Sequence, residues 1–310
     1  MTTTNPVTTT NPVTTTSSVT TTHLTRTRTS APVPLSVPVG QALRRAVRYE
    51  WRHLAGLRST WILLGVAAAM SLVNGLALGL DVADGAAPGA AAVAATLQWD
   101  AVATQLPLLA LLLLPLGTGP IASELARGAA RTSWLTLGSR SLAYGAKLLT
   151  GAAVTSGAAL VGALLTALTG TVSLALSGAR QPDWGEVLGP FASFLLFMAC
   201  WPVVCSAVAV LLRNRVGTAL ALTLWPLLGE RIAGLILEQV PGLGSLGDWL
   251  PFAAGRAGLA GYGAPGEERD FLTVLAGSEL SPAVGMTVFV IFTVALALAG
   301  AYVYQRRDAA

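Results

Sequence analysis

Charged side chains are scarce in this chain, and the ones next to long apolar runs are the places where chemistry could occur. Glu124, Arg127, Arg131, Arg140 and Lys147 cluster within one short stretch, and Glu50 interrupts an otherwise basic and apolar segment. Glu230 and Arg231 stand inside an apolar run. These groups can form ion pairs and dock partners, but they are poorly suited to making bonds. Cys200 and Cys205 are five apart, do not share a helix face, and read as small apolar filler rather than a disulfide or metal pair. His23 and His53 lie far apart in sequence, so neither a metal-ligand cluster nor a Ser/His/Asp arrangement is visible. A phosphate-cradling loop of the type G-x-x-x-x-G-K-[ST] needs a lysine to reach the phosphates. The only lysine, Lys147, is followed by Leu148, and Gly145 is two before it, so the chain is not an ATPase of that type. No enzymatic activity, metal site or nucleic-acid partner is expected of it.

The elements that position these charges follow from composition. The chain is 53% hydrophobic and 11% charged, against about 25% charged residues in soluble domains. A soluble fold of this length could not cover its core with so few charges, so the expected class is an all-α membrane protein. Roughly 20 apolar residues cross a core of ~30 Å at 1.5 Å each. Six segments meet that length, at about 61–80, 101–123, 148–176, 188–212, 217–237 and 285–304. Pro107, Pro115 and Pro120 should kink the second, and Pro190 and Pro202 fall in the fourth. Residues 1–38 repeat TTTNPV and are rich in Thr, which predicts a disordered cytosolic tail. Residues 39–310 then form the membrane domain.

Residues 41–59 place Leu43, Val47, Trp51, Leu54 and Leu57 on one helical face, with Arg44, Arg45, Arg48 and Arg52 on the other. That pattern predicts an amphipathic helix lying in the head-group region before the first span, with Arg58 at the join. Glu50 projects onto its apolar side, where a carboxylate wants a basic partner. Putting both termini inside leaves most of the 19 basic residues in cytosolic segments, with Glu50, Glu124 and Asp308 as the inside acids. The expected topology is therefore N-in, C-in.

In that topology the stretch 124–147 is a cytosolic loop between spans two and three. Glu124 and Arg127 are three apart and can pair, and Arg127 and Arg131 are four apart and share a face. Trp134 and Leu135 add apolar contact, and a short helix broken at Gly138 is expected. Such a segment is a docking surface as well as a topology signal. The Glu230–Arg231 pair has two readings. It lines a cavity or a substrate path, or span five ends near Gly229, leaving the pair at the outer interface while RIAGLILEQV starts an external helix. The long segment 239–283 mixes Trp249, Leu250 and Phe252 with Gly and Pro, a composition that suits a piece dipping back against neighbouring helices.

The stretch YEWRHLAGLRSTW, with Glu50, Trp51, Arg52 and Arg58, resembles the Glu-containing segment before the first span of bacterial ABC-2-type transporter permeases, especially actinobacterial ones. ELARGAARTSWLTLGSRSLAYGAKLL resembles that family's segment between spans two and three, matching at Glu124, Arg127, Gly128, Arg131, Thr132, Leu135, Arg140, Ala146 and Lys147. Leu125 stands where the family has an aromatic, Ala129 where it has Thr, and Gly138 where Pro is common. GERIAGLILEQVPGLGSLGDWLPFAA resembles its stretch with a Glu late in span five. The resemblance implies the permease subunit of an exporter for a small or amphipathic substrate. Its 124–147 segment, including Trp134, would form a coupling helix seated on a separate ATPase subunit. ATP and Mg²⁺ would bind in that partner, with no cofactor in this chain. It also implies a second permease as homodimer or heterodimer partner, and residence in a bacterial cytoplasmic membrane. A secondary transporter and a non-transporting membrane immunity or scaffold protein are the alternatives.

Overall fold

The structure is a computed structural model that describes residues 38–80, 82, 85–101, 105–127, 139–260 and 276–306, with backbone alone at 126 and 127. The Thr-rich tail up to residue 37 lies outside the described residues. Among the described residues every element is helical: α1 (Val39–Ala55), α2 (Arg58–Leu78), α3 (Ala90–Leu97), α4 (Leu108–Arg127), α5 (Arg140–Leu176), α6 (Trp184–Leu212), α7 (Arg215–Leu224), α8 (Glu230–Glu238), α9 (Pro251–Ala260) and α10 (Pro282–Arg306). A π-helical turn, Trp225–Gly229, joins α7 to α8, and a 3₁₀ turn, Gly244–Trp249, precedes α9. Six helical segments are long and apolar enough to cross a membrane, including a composite fifth from Arg215 to Glu238. The architecture is that of a multi-pass membrane protein.

Local chemistry sets the boundaries. Ser139, Asp183 and Asn214 cap α5, α6 and α7 by accepting from the backbone N–H groups of Leu142, Gly185, and Val216 with Gly217. Arg213 ends α6 in the left-handed region at φ 58°. Two boundaries differ most from the sequence reading. The third span extends back to Arg140, because the Ser139 cap starts the helix and Gly145 passes inside it. The helix of the second span starts at Leu108 rather than residue 101. Trp99, Asp100 and Gln105 hold positive φ, and the Pro107 carbonyl accepts the first helical N–H bonds, from Ala110 and Leu111.

Contacts between named residues fix the direction of each helix. Thr166 donates to the Ser71 carbonyl and Ser173 to that of Leu76, so α2 and α5 run parallel. Trp201 Nε1 donates to Ala110 O and Ser206 to Gly117 O, so α4 and α6 also run parallel. Phe289 stacks on Phe197 with centroids 4.6 Å apart, and Gly300 lies against Ala207, which aligns α10 with α6. Against these, α5 is antiparallel to α6, with Thr155 meeting Met198 and Gly151 meeting Pro202. The spans therefore alternate, and the start of α2 and the end of α10 share one end of the bundle.

Small residues allow the close approaches. A Cβ on Gly75 would overlap the Thr169 hydroxyl, and one on Gly117 would lie 2.8 Å from Cys205 Cβ. Pro202 has no N–H, which releases the Met198 carbonyl inside α6, and Thr155 Oγ1 donates to it at 2.6 Å. At mid-bundle Phe194, Phe197, Trp201, Phe252 and Phe289 form the aromatic part of the core.

Candidate functional site

Two groups of charged side chains are buried in this bundle. The first is at the end that holds the start of α2 and α5. On α1, Ala46, Glu50 and Leu54 recur at helical spacing and form the buried stripe that packs on α5. Lys147 lies two turns into α5, among the buried residues Ala143, Tyr144, Thr150 and Gly151. Glu124 sits near the C-terminal end of α4. The Lys147 ammonium donates to Glu50 Oε1 at 2.7 Å and to Glu124 Oε1 at 2.7 Å. One point charge thus joins three helices whose side chains come from 97 and 23 residues away in the sequence.

Burial sets the electrostatics of this knot. Glu50 is 1% exposed and Lys147 5%. Burial pushes the Glu50 carboxyl above its ordinary value, the nearby Glu124 pushes the same way, and the opposing pull of Lys147 is smaller. Nearby, the Arg140 guanidinium donates to the Gln305 carbonyl at 2.8 Å, tying the start of α5 to the end of α10. Ile121, Tyr144, Val210 and Tyr304 pack together there, with Tyr144 and Tyr304 ring centroids 5.3 Å apart.

Other residues singled out from the sequence fall elsewhere. Trp51, Arg52 and Arg58 are exposed, with Trp51 at 53%, on the faces of α1 and α2 turned away from the bundle. Arg127 lies on the last turn of α4, and its side chain is outside the described residues, as are Gly128, Arg131, Thr132, Trp134 and Leu135.

The second group centres on Glu230. The helix does not end at Gly229; it makes the π turn and continues to Glu238. Glu230 is 1% exposed and accepts from two backbone N–H groups, Phe252 to Oε1 at 3.0 Å and Ala253 to Oε2 at 2.8 Å. These are orphan donors at the start of α9, so Glu230 acts as its N-terminal cap across 22 residues of chain. Arg256, also 1% exposed, donates from Nε to the Ala276 carbonyl and from Nη1 to that of Pro226, each at 2.9 Å. Residues Phe252–Ala260 are buried throughout, and α9 packs on α10 and α6. This buried piece belongs to the long 239–283 segment, of which 261–275 lie outside the described residues.

Sequence reasoning singled out Glu50, Glu124, Lys147 and Glu230 but did not bring Lys147 together with Glu50 and Glu124, and it missed Arg256; the expected Glu124–Arg127 pair falls outside the described residues. The misfit of Glu50 on an apolar face was the available signal for the first group. For the second, it was an arginine within a run of small apolar residues after Leu250–Pro251. Cys200 and Cys205 are free and buried. Neither the family models nor the curated proteins compared with this chain give a match, so any functional reading rests on the helix arrangement and its buried charges.

Proposed function

We propose that this chain is the membrane subunit of an ABC-2-type exporter. The observation that carries the reading is the Lys147 knot. It fastens both ends of the 124–147 connection, through Glu124 and Lys147, to the interfacial helix through Glu50. A connection anchored this way moves together with three helices, as a segment receiving a push from a nucleotide-hydrolysing subunit must.

In this reading the end bearing the knot faces the cytosol of a bacterial plasma membrane. The arginines of α1, with Arg58, Arg140, Arg213, Arg215 and Arg306, gather at that end, and cationic residues are retained inside. The 124–147 segment seats on a separate ATPase subunit that binds ATP and Mg²⁺. Two six-span copies, or this chain with a sister permease, frame the path for a small or amphipathic substrate.

The test is co-purification of a co-expressed stand-alone ABC ATPase with the full chain, read beside substrate export. Arg131→Ala and Trp134→Ala should release the ATPase and stop export at normal membrane levels of the chain. Unchanged pull-down and export in both variants would overturn the reading.

A further inference from the structure

The apolar face of α1 expected to meet the membrane is spent inside the protein. Ala46, Glu50 and Leu54 are buried against α5, and Leu43 and Val47 are half-buried beside them. The bond from Lys147 to Glu50 fixes the roll of α1 about its own axis. Trp61 Nε1 donates to the Ala55 carbonyl at 2.8 Å across the turn between α1 and α2, so the join is held as well. Trp51, from the same expected apolar face, is turned outward.

What α1 presents away from the bundle is cationic. Arg44, Arg45, Arg48 and Arg52 are all exposed. On a helical wheel they fall within an arc of about 100° centred roughly opposite Glu50. Trp51 borders that arc on one side and Tyr49 on the other, and both are exposed. Among the described residues, none of the four arginines meets a carboxylate within ion-pair distance. Glu50 is the only acid between residues 38 and 80, α5 contains none, and Lys147 holds both Glu50 and Glu124. Past exposed Arg58 the strip runs into Trp61 and Ile62, 61% and 64% exposed at the head of a membrane-crossing helix.

We propose that this outward face of α1 binds the head groups of anionic phospholipids, with the four arginines on the phosphates and the Trp51 and Tyr49 rings in the head-group layer. Arginine is matched to phosphate by its planar fork and permanent charge. Aromatic rings with one polar edge settle at the boundary between membrane and water. Uncompensated cations on one strip select a lipid of net negative charge over a zwitterion, by roughly fivefold for each arginine near an anionic surface. A bilayer satisfies the arginines and the adjoining apolar Trp61 and Ile62 together, whereas an acidic protein would satisfy the arginines alone. The assignment does not rest on the exporter reading.

The test uses the purified full chain in detergent, stripped of lipid and incubated with equal amounts of palmitoyl-oleoyl phosphatidylglycerol and the zwitterionic phosphatidylethanolamine of the same chains. Lipid that stays with the protein through size-exclusion chromatography is extracted and counted by mass spectrometry. Phosphatidylglycerol should be retained in preference. That preference should collapse between 0.1 M and 1 M salt, as the screening length falls from about 10 Å to about 3 Å. Arg48→Gln combined with Arg52→Gln should lower it about twentyfold, with elution profile and thermal unfolding matching the unsubstituted chain. A preference unchanged in that pair would overturn the assignment. Should the pair fail to fold, the salt series on the unsubstituted chain decides, and a preference indifferent to salt overturns the assignment equally. Equal retention of the two lipids by the unsubstituted chain would overturn lipid selection and leave an acidic protein surface as the partner of the arginine face.

Discussion

Glu50 and Glu230 are equally buried, at 1% exposure each, yet they are stabilised in opposite ways. Glu50 depends on one flexible side chain, Lys147, which it shares with Glu124. Glu230 depends on two backbone amides fixed in the first turn of α9. A lysine can be withdrawn by rotating its stem; a helix terminus can be withdrawn only by moving the helix. The knot therefore ties three helices through one side chain, and the cap holds α9 against span five through its backbone.

Lys147→Met should break this comparison most severely. It leaves two carboxylates buried without their cation and should cost about 3–5 kcal/mol, read as lost folded yield and a lower unfolding temperature in detergent. Adding Glu50→Gln and Glu124→Gln to it should restore much of the loss. If the single variant were as stable as the parent, the knot would be no anchor.

Glu230→Gln comes next. The amide keeps one acceptor but turns an N–H₂ toward the second backbone donor, for about 1–3 kcal/mol. Limited proteolysis should cut near α9 before the bundle unfolds, and unaltered protection there would mean that the cap does not hold α9 in place. Thr155→Val tests neither carboxylate and should cost about 1 kcal/mol by exposing the Met198 carbonyl released by Pro202. It calibrates what one buried neutral hydrogen bond is worth between the two sites.

Glu50→Gln should have the smallest effect, below about 1 kcal/mol, because Lys147 and Glu124 remain as a balanced pair and burial already favours the neutral form of residue 50. A larger loss than in Glu230→Gln, by thermal unfolding, would reverse the ranking of the two sites.

The six apolar segments were legible because length and hydropathy are local properties; the caps at Ser139, Asp183 and Asn214 were not read, although each is a single-residue signal. The late start of span two was not legible. The stretch before Leu108 is apolar, and its backbone departs from helix at Trp99, Asp100 and Gln105, where tertiary contacts outweigh hydropathy. Glu50 announced itself by breaking its helix face, but its partner lies 97 residues away, and no periodicity reaches that far. Glu230 and Arg231, as neighbours on a helix, point about 100° apart and are not expected to face each other; the partners of Glu230 are amides of a helix whose placement depends on the whole bundle. Arg256 drew no attention in the sequence for the same reason.

The length of α5 has a mechanical corollary. Its 37 residues contain no proline, unlike α4 and α6, and run about 55 Å, well beyond a hydrocarbon core of ~30 Å. A stiff rod of that length rocking by about five degrees sweeps its far tip through roughly 5 Å. Any torque applied near Arg140 would thus arrive at Leu176, at the far end of the bundle, as a displacement of several ångström.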